Sequence, residues 1–385
     1  MSDPTIRRPL AAERRARILA AIEHDGVVRV SQLIDELGSA PVTLRRDLAQ
    51  LEQEGLVVRV HGGAVLPDGA AVPAPPAPQD DVDLAEREVV RPKPGGSIAV
   101  LVPSLNYYWP GVIRGIESRA LRRGFGIVLR GASYELQDER PILQRLLDDD
   151  EQIRGLLVAP NTDTAHAQDV IQWLADSGVP SVLMERDAQL LPSHEPVESV
   201  ASDHAHGAAL AARHLADLGH RRVGLVLSRF SPTSRKIAAG WRVACATLGL
   251  TQLEGFEPLL PDRSSAEFSS AVNATLDSAL EAGLTALLIH SDPEAMAVID
   301  LALNRGIRVP RDLSVIAYDD EIAQLFSPAL TAVSPPRSAV GEVALDLLVD
   351  RIADLRQPNR RVLLSPHLNV RESTAPPTAE AAPSR

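Results

Sequence analysis

From residue 97 onward, short runs rich in Val, Ile and Leu alternate with longer stretches whose apolar positions recur every three or four residues. The runs SIAVLVP (97–103), FGIVLRG (125–131), GLLVAP (155–160), PSVLME (180–185), RVGLVLS (222–228), TALLIH (285–290) and LSVIAY (313–318) predict strands. Between them, residues 110–123, 165–177, 204–218, 266–282 and 293–304 carry helical periodicity. Such alternation predicts an α/β architecture of parallel sheets covered by helices on both faces. The segment is long enough for two lobes, drawn at about 97–198 plus 329–356 and 199–328 plus 357–373. Ligands of such sheets sit beyond the carboxyl ends of the strands. Those ends carry residues 103–109, 185–186, 228–234, 290–292 and 318–320.

The first 65 residues follow another rhythm. Residues 11–24 place Ile18, Leu19 and Ile22 on one helix face before Asp25 and Gly26 stop it. Val28, Arg29 and Val30 are extended, and Ser31 caps a short helix closed by Gly38. After a turn at 39–41, residues 42–54 form a third helix with Leu44, Leu48 and Leu51 inward. Residues 56–60 and 64–66 flank His61-Gly62-Gly63 as a two-stranded wing. Two helices joined by a short turn, the second bearing outward arginines, form the arrangement that seats a helix in the major groove of DNA. Arg45 and Arg46 are about 100° apart on that helix. One is placed to read base edges, where a bidentate guanine contact is worth roughly 1–3 kcal/mol, and the other to hold a phosphate. Thr43 is a phosphate donor at the helix start. Arg59 enters the minor groove or clamps the backbone, and His61 stands at the wing tip.

Charge refines this picture. The net charge is −12, yet residues 1–66 hold nine arginines against nine acidic residues, so the negative balance falls on the remainder. DNA contact must come from a few placed arginines and not from bulk charge. Residues 66–96 contain seven prolines and many acids without periodicity, which reads as a semi-extended linker between a 9–65 reader and a 97–373 sensor. The tail, 374–385, reads as disordered. The lone cysteine, Cys245, excludes an internal disulfide and a multi-cysteine zinc site, and is expected as a small buried hydrophobe. No apolar run reaches the roughly 18 residues of a membrane span, and no secretory signal opens the chain. A cytoplasmic protein without a membrane partner is expected.

Longer motifs carry two resemblances. Residues 14–65 resemble the DeoR family of helix-turn-helix regulators through Thr43-Leu44-Arg45-Arg46-Asp47-Leu48, then Leu51-Glu52-Gln53-Glu54-Gly55, then Arg59-Val60-His61-Gly62-Gly63-Ala64. This implies a winged helix-turn-helix. Residues 97–373 resemble the effector-binding domain of the LacI/GalR family through ALAARHLADLGHRRV (209–223), SDPEAMAVIDLALNRGIRVPRDLSVIAYDD (291–320), SPALTAV (327–333) and VREST (370–374). This implies the type I fold of periplasmic sugar-binding proteins, with two lobes clamping a small molecule, a sugar or nucleoside. By position, Tyr108 and Trp109 are ring-stacking or polar contacts, and Glu185 replaces the family's Asp as a carboxylate acceptor. Arg186 pairs with it or faces solvent. Asp319 is the leading polar ligand candidate, and Asp292 is either a ligand or a helix cap. At the position of the family's ligand-touching Arg this chain has Ile237, and Arg235 or Lys236 substitutes from a shifted turn.

Together these readings imply a DNA-binding regulator, a repressor by default, acting as a homodimer on two-fold related half-sites and controlled by an effector. A solute-binding protein of a transport system, or a sensor without a DNA role, is the alternative. The turn after the first strand, PSLNYYWPG, lacks the glycines of a dinucleotide site. No catalytic constellation, cofactor site or metal site is expected, and His204 and His206 read as helix-start decoration.

Overall fold

The protein is described by a computed structural model. It describes residues 95–378 except 135, 254 and 255, and in the N-terminal segment residues 14, 15, 18, 19, 22, 27–29, 48, 50, 51, 56–60 and 63–65. The chain divides into two compact units, Met1–Val89 and Val90–Arg385.

In the first unit Ile18, Ile22, Leu48 and Leu51 are helical and buried, as their spacing requires, and Leu19 is half-buried. The wing strands β2 (Val58–Val60) and β3 (Gly63–Val65) pair antiparallel. A third strand, β1 (Val27–Arg29), joins β3 on its other edge, with Val28 opposite Ala64. The extended piece after the first helix therefore completes a three-stranded sheet. Thr43, Arg45, Arg46 and His61, like the linker at 66–94, lie outside the described residues, and of Arg59 only its strand position is described.

The second unit holds two sheets. In the first, β4 (Ser97–Val102), β5 (Gly126–Gly131), β6 (Ile153–Val158), β7 (Ser181–Met184), β8 (Ser199–Ser202) and β15 (Arg361–Leu364) run in the order β15-β8-β7-β6-β4-β5, all parallel. The second contains β9 (Arg222–Ser228), β10 (Thr251–Gln252), β11 (Leu259–Leu260), β12 (Ala286–His290), β13 (Ser314–Tyr318), β14 (Thr331–Ser334) and β16 (His367–Asn369). Its order is β10-β9-β12-β13-β14-β16, with β11 beside β9 and β16 alone antiparallel. Central strands such as β12 and β13 are buried along their whole length. Helices on both faces require continuous apolar runs where a one-sided sheet would show alternation.

The lobe boundaries differ from the sequence-based expectation. Ser199–Ser202 and Arg361–Leu364 belong to the first sheet, and Thr331–Ser334 to the second. The chain crosses between lobes just after β8, β14 and β15. These strands have four residues each and carry Ser199, Ser202, Thr331, Ser334 and Arg361, so they leave no apolar run to detect. The described start of the tail, residues 374–378, also departs from the disorder expected of it. Thr374 Oγ1 bonds His214 Nε2 at 3.0 Å, and the Ala375 carbonyl accepts from His220 Nε2 at 2.9 Å. Buried polar side chains of the second lobe need partners, and the tail supplies them. Cys245 is buried in the second lobe as expected.

Each lobe is faced by one tightly crossed helix pair. Trp109–Arg123 packs on Arg337–Ala353, and His204–Asp217 on Thr233–Leu248. Glycines set the approach. A β-carbon at Gly341 would fall inside the Val112 carbonyl oxygen, and one at Gly240 inside that of Ala205. Gly341→Ala is expected to destabilise the sensor by about 1–3 kcal/mol through overpacking, measurable as a lowered midpoint in urea; an unchanged midpoint would show that the helices can part freely.

Candidate functional site

A cleft of about 490 Å³ opens between the lobes at the carboxyl ends of both sheets. From the first lobe Tyr107, Tyr108, Trp109, Tyr134, Glu185 and Arg186 line it; from the second, Phe230, Arg263, His290, Glu294 and Asp319 do. Backbone strain gathers here. Tyr107, Glu185, Asp319 and Asp320 have φ of 59°, 57°, 99° and 53°, a left-handed conformation that side chains adopt at a cost and that clusters at functional sites.

Four carboxyl groups are buried around the cleft, and their hydrogen bonds separate their roles. An ionised carboxylate has about four lone-pair sites. Glu185 fills four: Oε1 accepts from Tyr108 OH at 2.5 Å and Ser202 Oγ at 2.8 Å, while Oε2 accepts from Ser202 N at 3.0 Å and His204 Nε2 at 3.2 Å. Burial alone would raise its pKa, but donation from His204, the charge there, Tyr108 and Ser202 N–H hold it down at about 2. Asp292 also accepts four bonds, from the backbone N–H groups of Asp320, Glu321, Ile322 and Ala323 at 2.7–3.2 Å. It fastens the loop after β13, and the helix cap is Ser291, whose N and Oγ both donate to Glu294 Oε2.

Asp319 is the exception. It is 4 % exposed, and among the described residues its side chain receives no hydrogen bond. The nearest partner is His290 Nε2 at 3.7 Å. Burial, reinforced by the negative charge of Asp292 and opposed by Arg337, pushes its pKa well above the usual carboxylate range. Burial also takes His290 down to about 3, so the ring is neutral. Ser234 gives its proton to the Ser228 carbonyl at 2.7 Å, so His290 Nδ1 donates to Ser234 Oγ at 3.3 Å and Nε2 keeps its lone pair toward Asp319. The second lobe thus presents an acid whose carboxyl holds its proton to higher pH than usual, beside a neutral imidazole.

The other candidates fall on both sides of the lining. Trp109 is buried, donates to Tyr134 OH at 2.9 Å and lies under the Arg186 guanidinium at 5.9 Å. Arg186 spends Nε on the Pro160 carbonyl and one Nη1 donor on that of Glu185, and its remaining donors face the cleft wall. Arg235 is not among the lining residues and pairs with Asp163 across the lobes, while Lys236 reaches Asp187 at 2.6 Å. Asp292 is likewise outside the lining. Ile237 is fully buried in the second-lobe core. Sequence reasoning missed His204, which is buried between Glu185 and Tyr318, and Arg337, which reaches the Asp319 and Asp320 carbonyls. It also passed over His290 and Phe230, although both lie in strand-end segments that the pattern marked.

Comparison with known proteins agrees with this geometry. Residues 14–70 match a DeoR-like helix-turn-helix domain, and 212–374 a periplasmic binding protein-like domain. The transcriptional regulator MalR of Streptomyces coelicolor is 30% identical over 302 residues, covering 77% of this chain and 86% of that protein. The repressor PurR of Photobacterium profundum is 29% identical over 302 residues, covering 76% and 86%. A LacI family regulator from Mycobacterium smegmatis superposes with a TM-score of 0.60 at 26% identity, covering 73% of this chain and 100% of that one. The chain belongs to the LacI family of transcriptional regulators. Its N-terminal segment matches a model of a different family, the DeoR-like helix-turn-helix domain. Among the described residues no helix is long and apolar enough to cross a membrane.

The state of Asp319 is testable in this LacI-family sensor without a ligand. Below pH about 4 the acid is protonated whether the chain is folded or not. As pH rises the unfolded chain ionises while the folded cleft keeps its proton, so this group's contribution to stability falls. The melting temperature of Asp319→Asn minus that of wild type is therefore expected to grow steadily above pH 4. A difference independent of pH would mean that the carboxyl titrates normally.

Proposed function

We propose that this LacI-family protein is a repressor whose operator affinity is set by a small, uncharged, hydroxyl-bearing effector, a sugar or nucleoside, held between its lobes. One observation carries the reading: Asp319, a buried acid without a hydrogen bond, faces a cleft large enough for such a molecule. Its carboxyl, held by no protein donor among the described residues, opens onto the cleft and is free to bond an effector hydroxyl on entry. A protonated acid both donates and accepts, matching a hydroxyl. Arg186 supplies further donors, and Tyr108, Trp109, Tyr134 and Phe230 supply apolar ring surface. Glu185, its four sites filled, orients these groups, and Asp292 and Arg235 act outside the first layer around the effector.

On the DNA side, Thr43, Arg45, Arg46, Arg59 and His61 form the reading surface. A homodimer places two such surfaces on two-fold related half-sites in the cytoplasm. The effector binds one lobe arrangement better than the other and shifts the population accordingly. Similarity to the PurR repressors supports the negative sign of regulation.

The full chain is expected to enrich a palindromic sequence from a random duplex pool, and Arg45→Ala/Arg46→Ala to lose that preference. A thermal-shift screen with monosaccharides, disaccharides and nucleosides should find stabilising compounds. Asp319→Ala should weaken the best of them at least tenfold while operator binding persists. Retained affinity in Asp319→Ala would refute the cleft assignment, and retained specificity in the arginine pair would refute the reader.

A further inference from the structure

Glu185 sits where three segments meet. It follows β7 of the first lobe with φ 57°. Tyr108, which gives it one proton, is the residue before helix Trp109–Arg123 of the same lobe. Ser202, which gives two, ends β8 at the first crossover. His204, which gives the fourth, opens the first helix of the second lobe. An ionised carboxylate only accepts, so His204 Nε2 donates to it; on the other side of the ring Nδ1 meets the Tyr318 hydroxyl at 3.1 Å, at the end of β13. The chain Tyr108–Glu185–His204–Tyr318 thus runs from half-buried Tyr108 at the first-lobe helix to the second-lobe sheet through three buried groups.

A second crossover meets the same tyrosine. Arg337, at the start of helix Arg337–Ala353, reaches the Asp319 and Asp320 carbonyls and pairs with Glu321 at 3.0 Å. Its guanidinium lies 5.8 Å from the centre of the Tyr108 ring. Tyr108 therefore touches the bonding at two of the three crossovers while its ring faces the cleft.

From this geometry we infer that Glu185 is a positioning residue, a hinge clasp that sets the angle between the lobes, and that Tyr108 is the cleft residue through which an occupant acts on it. The inference rests on the proposed effector site for its biological use, but the clasp itself exists in the unliganded protein. Buried charge-assisted bonds are the strong class, and losing one partner of such a set costs more than an exposed ion pair like Arg235–Asp163 contributes. The clasp, and not the rim pairs, therefore dominates the hinge.

The test needs no effector. Nitroxides at Gln144→Cys and Ser270→Cys, exposed helical sites on opposite lobes, report the interlobe distance by pulsed electron spin resonance in the full chain. Native Cys245 is buried, its thiol pushed up to about 12 by that burial, and takes no label. Glu185→Gln, which keeps one acceptor oxygen and turns an amide toward the donors, is expected to raise the ratio of open to closed distances about tenfold. Ser202→Ala, which removes one donor, should raise it by a smaller factor. Asp319→Asn, which alters the cleft but not the clasp, should keep the wild-type distribution.

Unchanged distributions in both clasp variants, each shown folded by circular dichroism, would overturn the inference; should Glu185→Gln not fold, Ser202→Ala decides alone. A shift in Asp319→Asn equal to that in Glu185→Gln would equally overturn it, because the hinge would then respond to any change in the cleft. Loss of compound binding in Asp319→Ala bears only on the effector site, so the two readings fail separately.

Discussion

The arrangement of the sensor depends on one buried carboxylate. Glu185 is 3 % exposed and gathers donors from a helix, a crossover strand and the opposite lobe. Removing a charge from water without full compensation costs several kcal/mol, so these donors are held in place by the penalty of releasing them. That constraint fixes Tyr108, Ser202 and His204 relative to one another. It thereby fixes where the wall of the cleft stands relative to the hinge.

Asp319 is its counterpart across the cleft. The two acids share burial and a left-handed backbone, yet the four donors of one hold its pKa down at about 2, while burial without a protein donor pushes the other well above the usual carboxylate range. Pushing two nearby groups apart in this way divides structural from binding duties. The second lobe can present an empty acid because Asp292 and Glu294 are already spent on the loop after β13 and on the helix cap.

Much of this was legible in the chain. The seven apolar runs all became strands; the central ones are buried on both faces and leave a continuous signal. The strand-end segments were found through the strand pattern, and Asp319 through the family phrase that contains it. The crossovers were not legible, since Ser199–Ser202 and Arg361–Leu364 are short and partly polar. Nor was the saturation of Glu185: Tyr108 lies 77 residues upstream, and Ser202 and His204 follow a loop and the β8 strand, so these donors meet only in the folded sensor. His204 looked like a helix-start residue for the same reason. Ile237 was a visible departure, but its consequence was not: the neighbouring Arg235 and Lys236 reach acids of the opposite lobe and leave the cleft itself to other residues.

The contrast between the two acids is the centre of the account, and infrared spectroscopy of the carboxyl C=O stretch reads it directly. At neutral pH the unliganded protein should show a protonated-acid band that disappears in Asp319→Asn and survives in Glu185→Gln. A band that survives in Asp319→Asn and is lost in Glu185→Gln would contradict it.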